Sequence, residues 1–181
     1  NSPELSNMLG QLLYDLQDYQ ASIAHYNDWI IGNANDLDAH FYLAASYYAT
    51  HQYSKGLSHF KVLLKNKYKI PTAAYYCGDS AVKTKQIDQA IECFQQITDG
   101  QFLVKAKLQL AQLYIHQKKF KKALNALQIK NIPNNNEHIQ LISAEIDLLR
   151  QHYSIEDAKK RLEDALAKQP KSLALLFKKV E

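Results

Sequence analysis

A spacing of about 34 residues recurs along the chain and constrains its fold more than any other feature. Small side chains return at intervals of 34, 34, 33 and 35 residues, at Ser22, Gly56, Ala90, Ala123 and Ala158. Four residues after each of them stands a large apolar side chain, at Tyr26, Phe60, Phe94, Leu127 and Leu162. A period of this length indicates a repeat protein, in which stacked units bury a continuous core that no single unit could form alone.

The stretch from Ala73 to Gln96 shows the unit most clearly, as two short amphipathic helices joined by a polar elbow at 84–86. Gly78 lies in the middle of the first predicted helix and Ala90 in the second, and two facing small residues would let the helices cross closely. Small residues also recur in the other first helices, at Gly10, Ala44 and Ala111. With 5 glycines and 4 prolines in 181 residues, the composition favours helices over a loop-rich β fold.

The period and the placement of the small residues resemble the tetratricopeptide repeat, a helix–turn–helix unit. The resemblance implies an all-α, right-handed superhelical solenoid that forms a single array over residues 1–181. Its repeats are expected at about 3–36, 37–70, 71–103, 104–138 and 139–172, with a C-terminal helix at 172–181. The chain departs from the family at the elbow between the helices, where the family often has glycine and this sequence has Gln17, His51, Lys85, Lys118 and Tyr153.

Local signals agree with these boundaries. Asp36 can cap a helix that begins at Leu37, and Pro71 suits the first turn of the helix after it. Ser154, with Asp157 three residues later, predicts another helix start. The turn-rich segment 131–136 predicts a linker within the array.

Both termini suggest that this chain is a fragment of a longer protein. It begins at Asn1 without a methionine and stops inside a helical pattern, so further repeats are expected beyond it. The C-terminal segment presents apolar residues at helical spacing, at Leu173, Leu176, Phe177 and Val180. We expect this helix to pack on repeat five as a cap.

In the tetratricopeptide family the first helices line a concave groove, and the resemblance carries this arrangement over to the present chain. The expected partner-binding residues are Asn7, Gln11, Tyr14, Phe41, Tyr42, Tyr48, Tyr75, Tyr76, Asp79, Lys83 and Gln112. Their aromatic members offer a large contact area at low entropic cost, although individual rings could instead fill gaps between adjacent repeats. We therefore expect a non-catalytic scaffold that binds a peptide or helix of another protein in an aromatic-lined groove.

An architectural role is the alternative hypothesis. The array would then space neighbouring domains, or associate end to end through its open ends, and its groove would be empty. A clamp for chaperone C-termini is not expected. Family members of that kind grip a carboxylate with lysine, asparagine and arginine. The corresponding places here hold Asn7, Gln11, Phe41, Tyr42 and Ala45, and the cations are missing.

Nothing in the sequence predicts catalysis, a cofactor or a metal site. The 7 histidines have no metal-ligand spacing, and the chain has neither a nucleophile elbow nor a glycine-rich phosphate loop. His40 and His59 could share a helix surface, where packed histidines are expected. Cys77 and Cys93 are expected to be small buried thiols, with a disulfide as the alternative in an oxidising compartment.

The charge of the chain is mild, with a net charge of +4 and a pI near 8.9. The basic tract at 118–122 is expected to be a solvated edge, because its neighbouring aromatic residues occupy core positions and cannot stack on bases. No apolar run is long enough to cross a membrane. The predicted partner is another protein, without nucleic acid or membrane insertion. The helices resemble those of bacterial repeat proteins, and the compartment stays open between cytoplasm and periplasm or envelope.

Overall fold

The computed structural model describes residues 2–129 and 135–180, and all regular secondary structure in these two ranges is helical. The helices are α1 (Pro3–Asp15), α2 (Tyr19–Gly32), α3 (Leu37–Ala49), α4 (Tyr53–Lys65), α5 (Ile70–Lys83), α6 (Ile87–Gln95), α7 (Leu103–His116), α8 (Phe120–Leu127), α9 (Asn135–His152), α10 (Ile155–Lys168) and α11 (Leu173–Val180). The all-α prediction is confirmed. Most of the predicted linker, residues 131–134, lies outside the described ranges.

The helix starts follow from local hydrogen bonds that the sequence predicted. The Asp36 carboxylate accepts a bond from the Ala39 N–H at 3.0 Å and caps α3. The Ser154 hydroxyl oxygen accepts from the Asp157 N–H at 3.0 Å and caps α10. Pro71 lies in the first turn of α5, where its missing N–H leaves no helical bond unmade.

The elbow residues explain how a unit turns without glycine. The residues Gln17, His51, Lys85 and Lys118 all have φ between 58° and 63°, the left-handed region in which glycine carries no steric penalty. At the third elbow the Lys85 N–H donates to the Val82 carbonyl at 3.0 Å, and the Gln86 N–H donates to the Ala81 carbonyl at 2.8 Å. These bonds satisfy carbonyls at the end of α5, so four non-glycine residues are held in a conformation that they rarely adopt.

The chain divides into two compact units, residues 1–103 and 104–181. In the first unit each helix from α1 to α6 contacts the next one, and α3 also contacts the first helices α1 and α5. Tyr26, Phe60 and Phe94, the large residues of the repeat pattern, are at most 1 % exposed. The pattern of small and large residues therefore predicted the core correctly.

Two glycines of the first helices make room for these core rings. A Cβ atom on Gly78 would lie 2.6 Å from ring atoms of Phe94, and one on Gly10 would collide with the ring of Tyr26. A Cβ on Gly78 would come closest to the ring of Phe94, one turn beyond Ala90, so the absence of a side chain at Gly78 makes room for that ring.

The second unit has a core between α9, α10 and α11. The C-terminal helix contacts both α9 and α10, so it packs on repeat five as expected. The predicted contact residues are wrong, because Leu175 is the fully buried one, while Leu173 and Phe177 are each 70 % exposed and Leu176 is also exposed. An ion pair fixes this face, since Lys178 Nζ lies 2.6 Å from Asp147 Oδ1. The side chain of Val180 lies outside the described part of the structure.

The two cysteines are both buried, as predicted, but they are not free thiols. A disulfide joins Cys77 in α5 to Cys93 in α6, with 5.8 Å between the Cα atoms. The expectation of two free thiols is corrected because the repeat places both residues at the interface of one helix pair. Within the described ranges, no helix is long and apolar enough to cross a membrane.

Candidate functional site

The first unit gathers the predicted aromatic residues in two clusters. In the first cluster Tyr14 of α1 meets Tyr42 of α3 edge to face, with ring centroids 5.5 Å apart. Phe41 meets Tyr42 in the same way, also at 5.5 Å. All three side chains are half-buried, so each keeps a surface that solvent or a partner can reach.

The second cluster repeats this arrangement on α3 and α5. Tyr48 contacts Tyr76 edge to face at 4.8 Å, and Tyr75 contacts Tyr76 at 5.6 Å. Tyr75 also stacks on Phe102, with centroids 4.6 Å apart. Phe102 was not predicted, because it lies in the loop before α7 and the repeat pattern assigns no role to loop residues.

Each cluster also takes part in the packing between repeats. Tyr42 stacks on Tyr26 with centroids 5.9 Å apart, and Tyr76 stacks on Phe60 at 6.1 Å. Both pairs join a core ring of one repeat to a tyrosine of the next repeat. One face of each tyrosine therefore fills a gap between repeats. The ring as a whole stays half-buried, so a structural and a binding role are compatible in the same residue.

Several polar groups predicted for the groove bond to each other. The Tyr48 hydroxyl donates to Asp79 Oδ2 at 2.7 Å and links α3 to α5. Burial raises the pKa of Tyr48 above its ordinary value, and the bond to the Asp79 carboxylate raises it further, so the phenol is neutral at physiological pH. The pair presents a fixed hydroxyl and carboxylate between the two first helices.

Asn7 has a positioning role inside the first unit. Its side-chain amide donates to Asp36 Oδ2 at 3.0 Å, and the Trp29 indole N–H donates to the same oxygen at 2.9 Å. Burial alone would raise the pKa of Asp36, but the bonds from Ala39, Trp29 and Asn7 outweigh it and hold the pKa below its ordinary value. Asn7 thus ties α1 to the start of α3.

The remaining predicted residues are solvent-exposed. Gln11 lies on α1 and Lys83 at the end of α5, both in the first unit. Gln112 lies on α7 and belongs to the second unit. Each is free of burial and can be replaced without disturbing a core.

Three further residues border the first cluster and were not predicted from the sequence. The Lys69 ammonium lies 4.2 Å from the ring centroid of Phe41, 5.0 Å from that of Tyr68 and 5.7 Å from that of Tyr42. Asp38 Oδ1 is 3.2 Å from the same nitrogen and also accepts a bond from the Tyr68 hydroxyl. Tyr68 and Lys69, which follow α4, were the available sequence signal for this contact. Because they lie in a loop, the helical repeat pattern made no prediction about them.

Charge is distributed unevenly along the chain. Residues 1–54 contain no lysine or arginine, and the first cation is Lys55. The same segment has six carboxylates, at Glu4, Asp15, Asp18, Asp28, Asp36 and Asp38. All 22 lysine and arginine residues therefore lie in the remainder of the chain, which has a positive net charge, whereas residues 1–54 have a negative one.

The two histidines expected to share a surface do so and are hydrogen-bonded to each other. His40 Nε2 lies 3.0 Å from the Ala34 carbonyl, so Nε2 carries the proton and His40 Nδ1 accepts from His59 Nδ1–H at 2.8 Å. Burial, followed by the neighbouring His40, lowers the pKa of His59 to about 4. In the described part of the chain, no group of three or more His, Cys, Asp or Glu residues could hold a metal ion.

The second unit contains one buried carboxylate with a structural role. Glu145 Oε2 accepts from Arg161 Nε at 2.6 Å, and Glu145 Oε1 accepts from Gln128 Nε2 at 2.8 Å. All its polar atoms are satisfied within the unit, so the group holds α9 against its neighbours. The basic tract at 118–122 lies at the surface, and its Phe120 ring stacks on His152 at 4.1 Å.

Comparison with known proteins agrees with the repeat pattern. Residues 7–67 match the family model described as tetratricopeptide repeat. No curated protein matches the sequence.

Solved structures show the same fold over nearly the whole chain. YrrB, described as a TPR protein with an unusual peptide-binding site, is 16 % identical, with 97 % of this chain and 91 % of that chain covered and a TM-score of 0.69. A MamA protein is 15 % identical, with 93 % and 92 % covered and a TM-score of 0.70. A TPR repeats protein from Bacteroides fragilis is 13 % identical, with 96 % and 94 % covered and a TM-score of 0.62.

At these identities the likeness to solved structures shows the fold alone. The family match identifies residues 7–67 as tetratricopeptide repeats, and the helical pattern continues with the same spacing beyond them. The chain thus has the helical repeat fold of tetratricopeptide proteins, and its residues 7–67 match the model of that family.

Proposed function

We propose that the first unit binds a peptide segment or helix of another protein along α1, α3 and α5. The observation that carries this proposal is the presence of six half-buried aromatic residues, in two clusters, on three adjacent first helices. They are Tyr14, Phe41, Tyr42, Tyr48, Tyr75 and Tyr76, and we refer to them as the aromatic surface. Proteins of this family generally mediate protein–protein interactions, and the proposal gives that role a location.

The chemistry of these rings suits a protein ligand. Burial raises the pKa of Tyr14, Tyr42 and Tyr75, so their hydroxyls stay protonated and can donate hydrogen bonds to a partner's carbonyls. The stacked faces of Tyr42 and Tyr76 also restrict their rotamers before binding. A partner then loses less free energy to ordering, because the binding groups are already in place.

YrrB supports the proposal at the level of the fold. Its description records a peptide-binding site on a tetratricopeptide protein of similar length. We transfer only the class of ligand, a peptide. The remaining predicted positions of the first unit, Asn7, Gln11, Asp79 and Lys83, are proposed as the polar surroundings of the site, and Gln112, in the second unit, is not assigned to it. The proposed role is non-catalytic.

The test is binding of a partner by a double variant of the aromatic surface. We expect Tyr42→Ala with Tyr76→Ala to lose at least tenfold in affinity, because truncation of two aromatic anchors typically costs 2 kcal/mol or more. A matched control replaces two exposed second-helix residues, Ile31→Ala with Lys61→Ala. If a double variant that circular dichroism shows to be folded binds as tightly as wild type and control, the proposal fails.

Self-association is a second candidate, favoured by an uncovered apolar face of α1. Five residues at helical spacing are between 50 and 69 % exposed: Leu5, Met8, Leu9, Leu12 and Leu16. An apolar stripe of this kind marks an interaction surface. Light scattering measures the mass of the chain and so tests for self-association. One variant, Leu9→Gln with Leu12→Gln, alters the apolar face of α1, and another deletes the C-terminal helix, residues 172–181. A monomeric wild-type chain at high concentration would exclude this candidate.

A further inference from the structure

Lys69 lies in a cage that recognises an ammonium group. Its Nζ is within 5.7 Å of three ring centroids, those of Phe41, Tyr42 and Tyr68, and it is paired with the Asp38 carboxylate at 3.2 Å. We call these four groups the lysine cage. Electron-rich ring faces together with a carboxylate are the arrangement that attracts cations in proteins.

The cage is open and its occupant is weakly held. The side chains of Lys69 and Asp38 are 39 % and 49 % exposed, so the ion pair is screened by water and contributes little to stability. The rings have independent support, because Tyr42 is packed on Tyr26 and the Tyr68 hydroxyl is bonded to Asp38. If the lysine leaves, the cage keeps its shape.

The helices that supply Asp38, Phe41 and Tyr42 attract positive charge, whereas the stretch that supplies Tyr68 also carries Lys61, Lys65 and Lys67. The segment that supplies α1, α2 and α3 has six carboxylates and neither lysine nor arginine. Opposite charges on a partner would speed its association and place its cations near the first cluster. Phe41 and Tyr42 belong both to the cage and to the aromatic surface, so a bound segment would pass directly over the cage.

We propose that the lysine cage binds a lysine side chain of a basic partner segment, and that Lys69 fills the cage until such a segment displaces it. This inference rests on the proposed function, because it names the chemistry of the segment that the aromatic surface binds. The partner is therefore a lysine-containing segment of another protein. Its ammonium replaces that of Lys69 over Phe41 and beside Asp38, and Lys69 moves into water without any change in the number of ion pairs at Asp38.

Synthetic peptides test the inference directly. The probe is a twelve-residue peptide with four lysines among alanine, leucine and serine, and the matched peptides carry glutamine or glutamate in place of lysine. Fluorescence anisotropy at 50 and 150 mM salt measures the affinity of each for the full chain. We expect the lysine peptide to bind at least tenfold more tightly than the glutamine peptide, the glutamate peptide not to bind, and the affinity to fall at the higher salt concentration.

Variants separate the cage from general electrostatics. Lys69→Gln removes the internal competitor and should raise the affinity for the lysine peptide about threefold to tenfold. Lys55→Gln is the control, because Lys55 lies 5.5 Å over the Tyr47 ring and its replacement changes the net charge equally. Asp38→Asn and Phe41→Leu should each lower the affinity about threefold to tenfold. Equal effects of Lys69→Gln and Lys55→Gln would overturn the inference.

Nuclear magnetic resonance supplies a readout of displacement. The methylene protons of Lys69 should be shifted upfield by the rings in the free chain and lose this shift when the lysine peptide binds, while those of Lys55 stay unchanged. One outcome would overturn the cage and leave the proposed function standing. In that outcome the glutamine peptide binds as tightly as the lysine peptide, and its affinity falls in the double variant Tyr42→Ala with Tyr76→Ala but not in Asp38→Asn. Failure of the lysine peptide to displace Lys69 would also overturn the cage.

Discussion

Replacement of Gly78 by alanine adds a single Cβ atom and tests how closely Phe94 packs on Gly78. The added Cβ would lie 2.6 Å from Cε1 and Cζ of Phe94 and 2.7 Å from Cδ1. Carbon atoms pack at about 3.5–4.0 Å, so the ring would have to move by about 1 Å. Phe94 is fully buried, and α5 and α6 are already in contact, so this movement strains the core.

The expected loss of stability follows from two opposing effects. Overpacking of a well-packed core costs about 1–3 kcal/mol, and a displacement of this size lies toward the upper end. Alanine in a helix interior recovers about 1 kcal/mol relative to glycine. We therefore expect Gly78→Ala to lower the free energy of unfolding by about 2 kcal/mol.

Urea denaturation followed by circular dichroism measures this change, with Gly32→Ala as the control. A Cβ on Gly32 meets no atom within 4 Å, so that variant should lie within about 0.5 kcal/mol of wild type. Phe94→Leu in the Gly78→Ala background should recover part of the loss, since the two residues are in contact. Equal stability of Gly78→Ala and Gly32→Ala would refute the packing of Phe94 over the glycine.

Three further predictions concern the elbow, the histidine pair and the small-residue series. Lys85→Gly should raise the free energy of unfolding by about 0.5–1 kcal/mol because it relieves a left-handed residue, whereas Thr84→Gly at φ −95° should lower it, as thermal melting would show. The pKa of His59 in the folded chain is about 4, against about 6.5 unfolded, so stability should fall as pH drops from 6.5 to 4. Denaturation across this range should show a loss of up to about 3 kcal/mol that His59→Gln removes. Ala90→Leu should cost about 1–3 kcal/mol in urea, because Ala90 is fully buried. A variant as stable as wild type would mean that the repeat alignment is out of register.

The sequence predicted the repeats well because their period is encoded several times over. Ser22, Gly56 and Ala90 are all buried, and the large residue four positions later is buried in each case. Helices α2 and α4 begin at Tyr19 and Tyr53, so the helix starts follow the same period. An error at one repeat is corrected by the others, so the spacing predicted a helical repeat protein and the resemblance to the tetratricopeptide repeat supplied the fold.

Features that occur once were harder to predict. The contact face of α11 was misjudged, because Leu173 and Leu175 both suit an apolar stripe, and only the structure shows that Leu175 joins the core cluster of the second unit while Leu173 is 70 % exposed. The disulfide depends on a pairing across two helices, which a small buried cysteine does not reveal in sequence.

The aromatic residues of the proposed site were identified from the sequence, whereas Lys69 was not. The aromatic residues of the first helices do cluster, but the involvement of Lys69 depends on a loop conformation that helix periodicity does not describe. The Lys69 ammonium lies over rings of α3, and its ion-pair partner Asp38 is far from it in sequence. The sequence alone therefore does not indicate that these groups meet. Contacts of this kind follow from tertiary structure and require coordinates.

Site-specific photo-crosslinking tests the central claim, that a partner lies along the first helices of the first unit. A photoreactive residue would replace Gln11 or Lys83, which are exposed on α1 and α5, or the controls Lys61 and Glu92, exposed on the second helices α4 and α6. The proposed binding surface predicts that positions 11 and 83 crosslink to the same partner and that positions 61 and 92 do not. Crosslinking of that partner from 61 and 92, with none from 11 and 83, would contradict it.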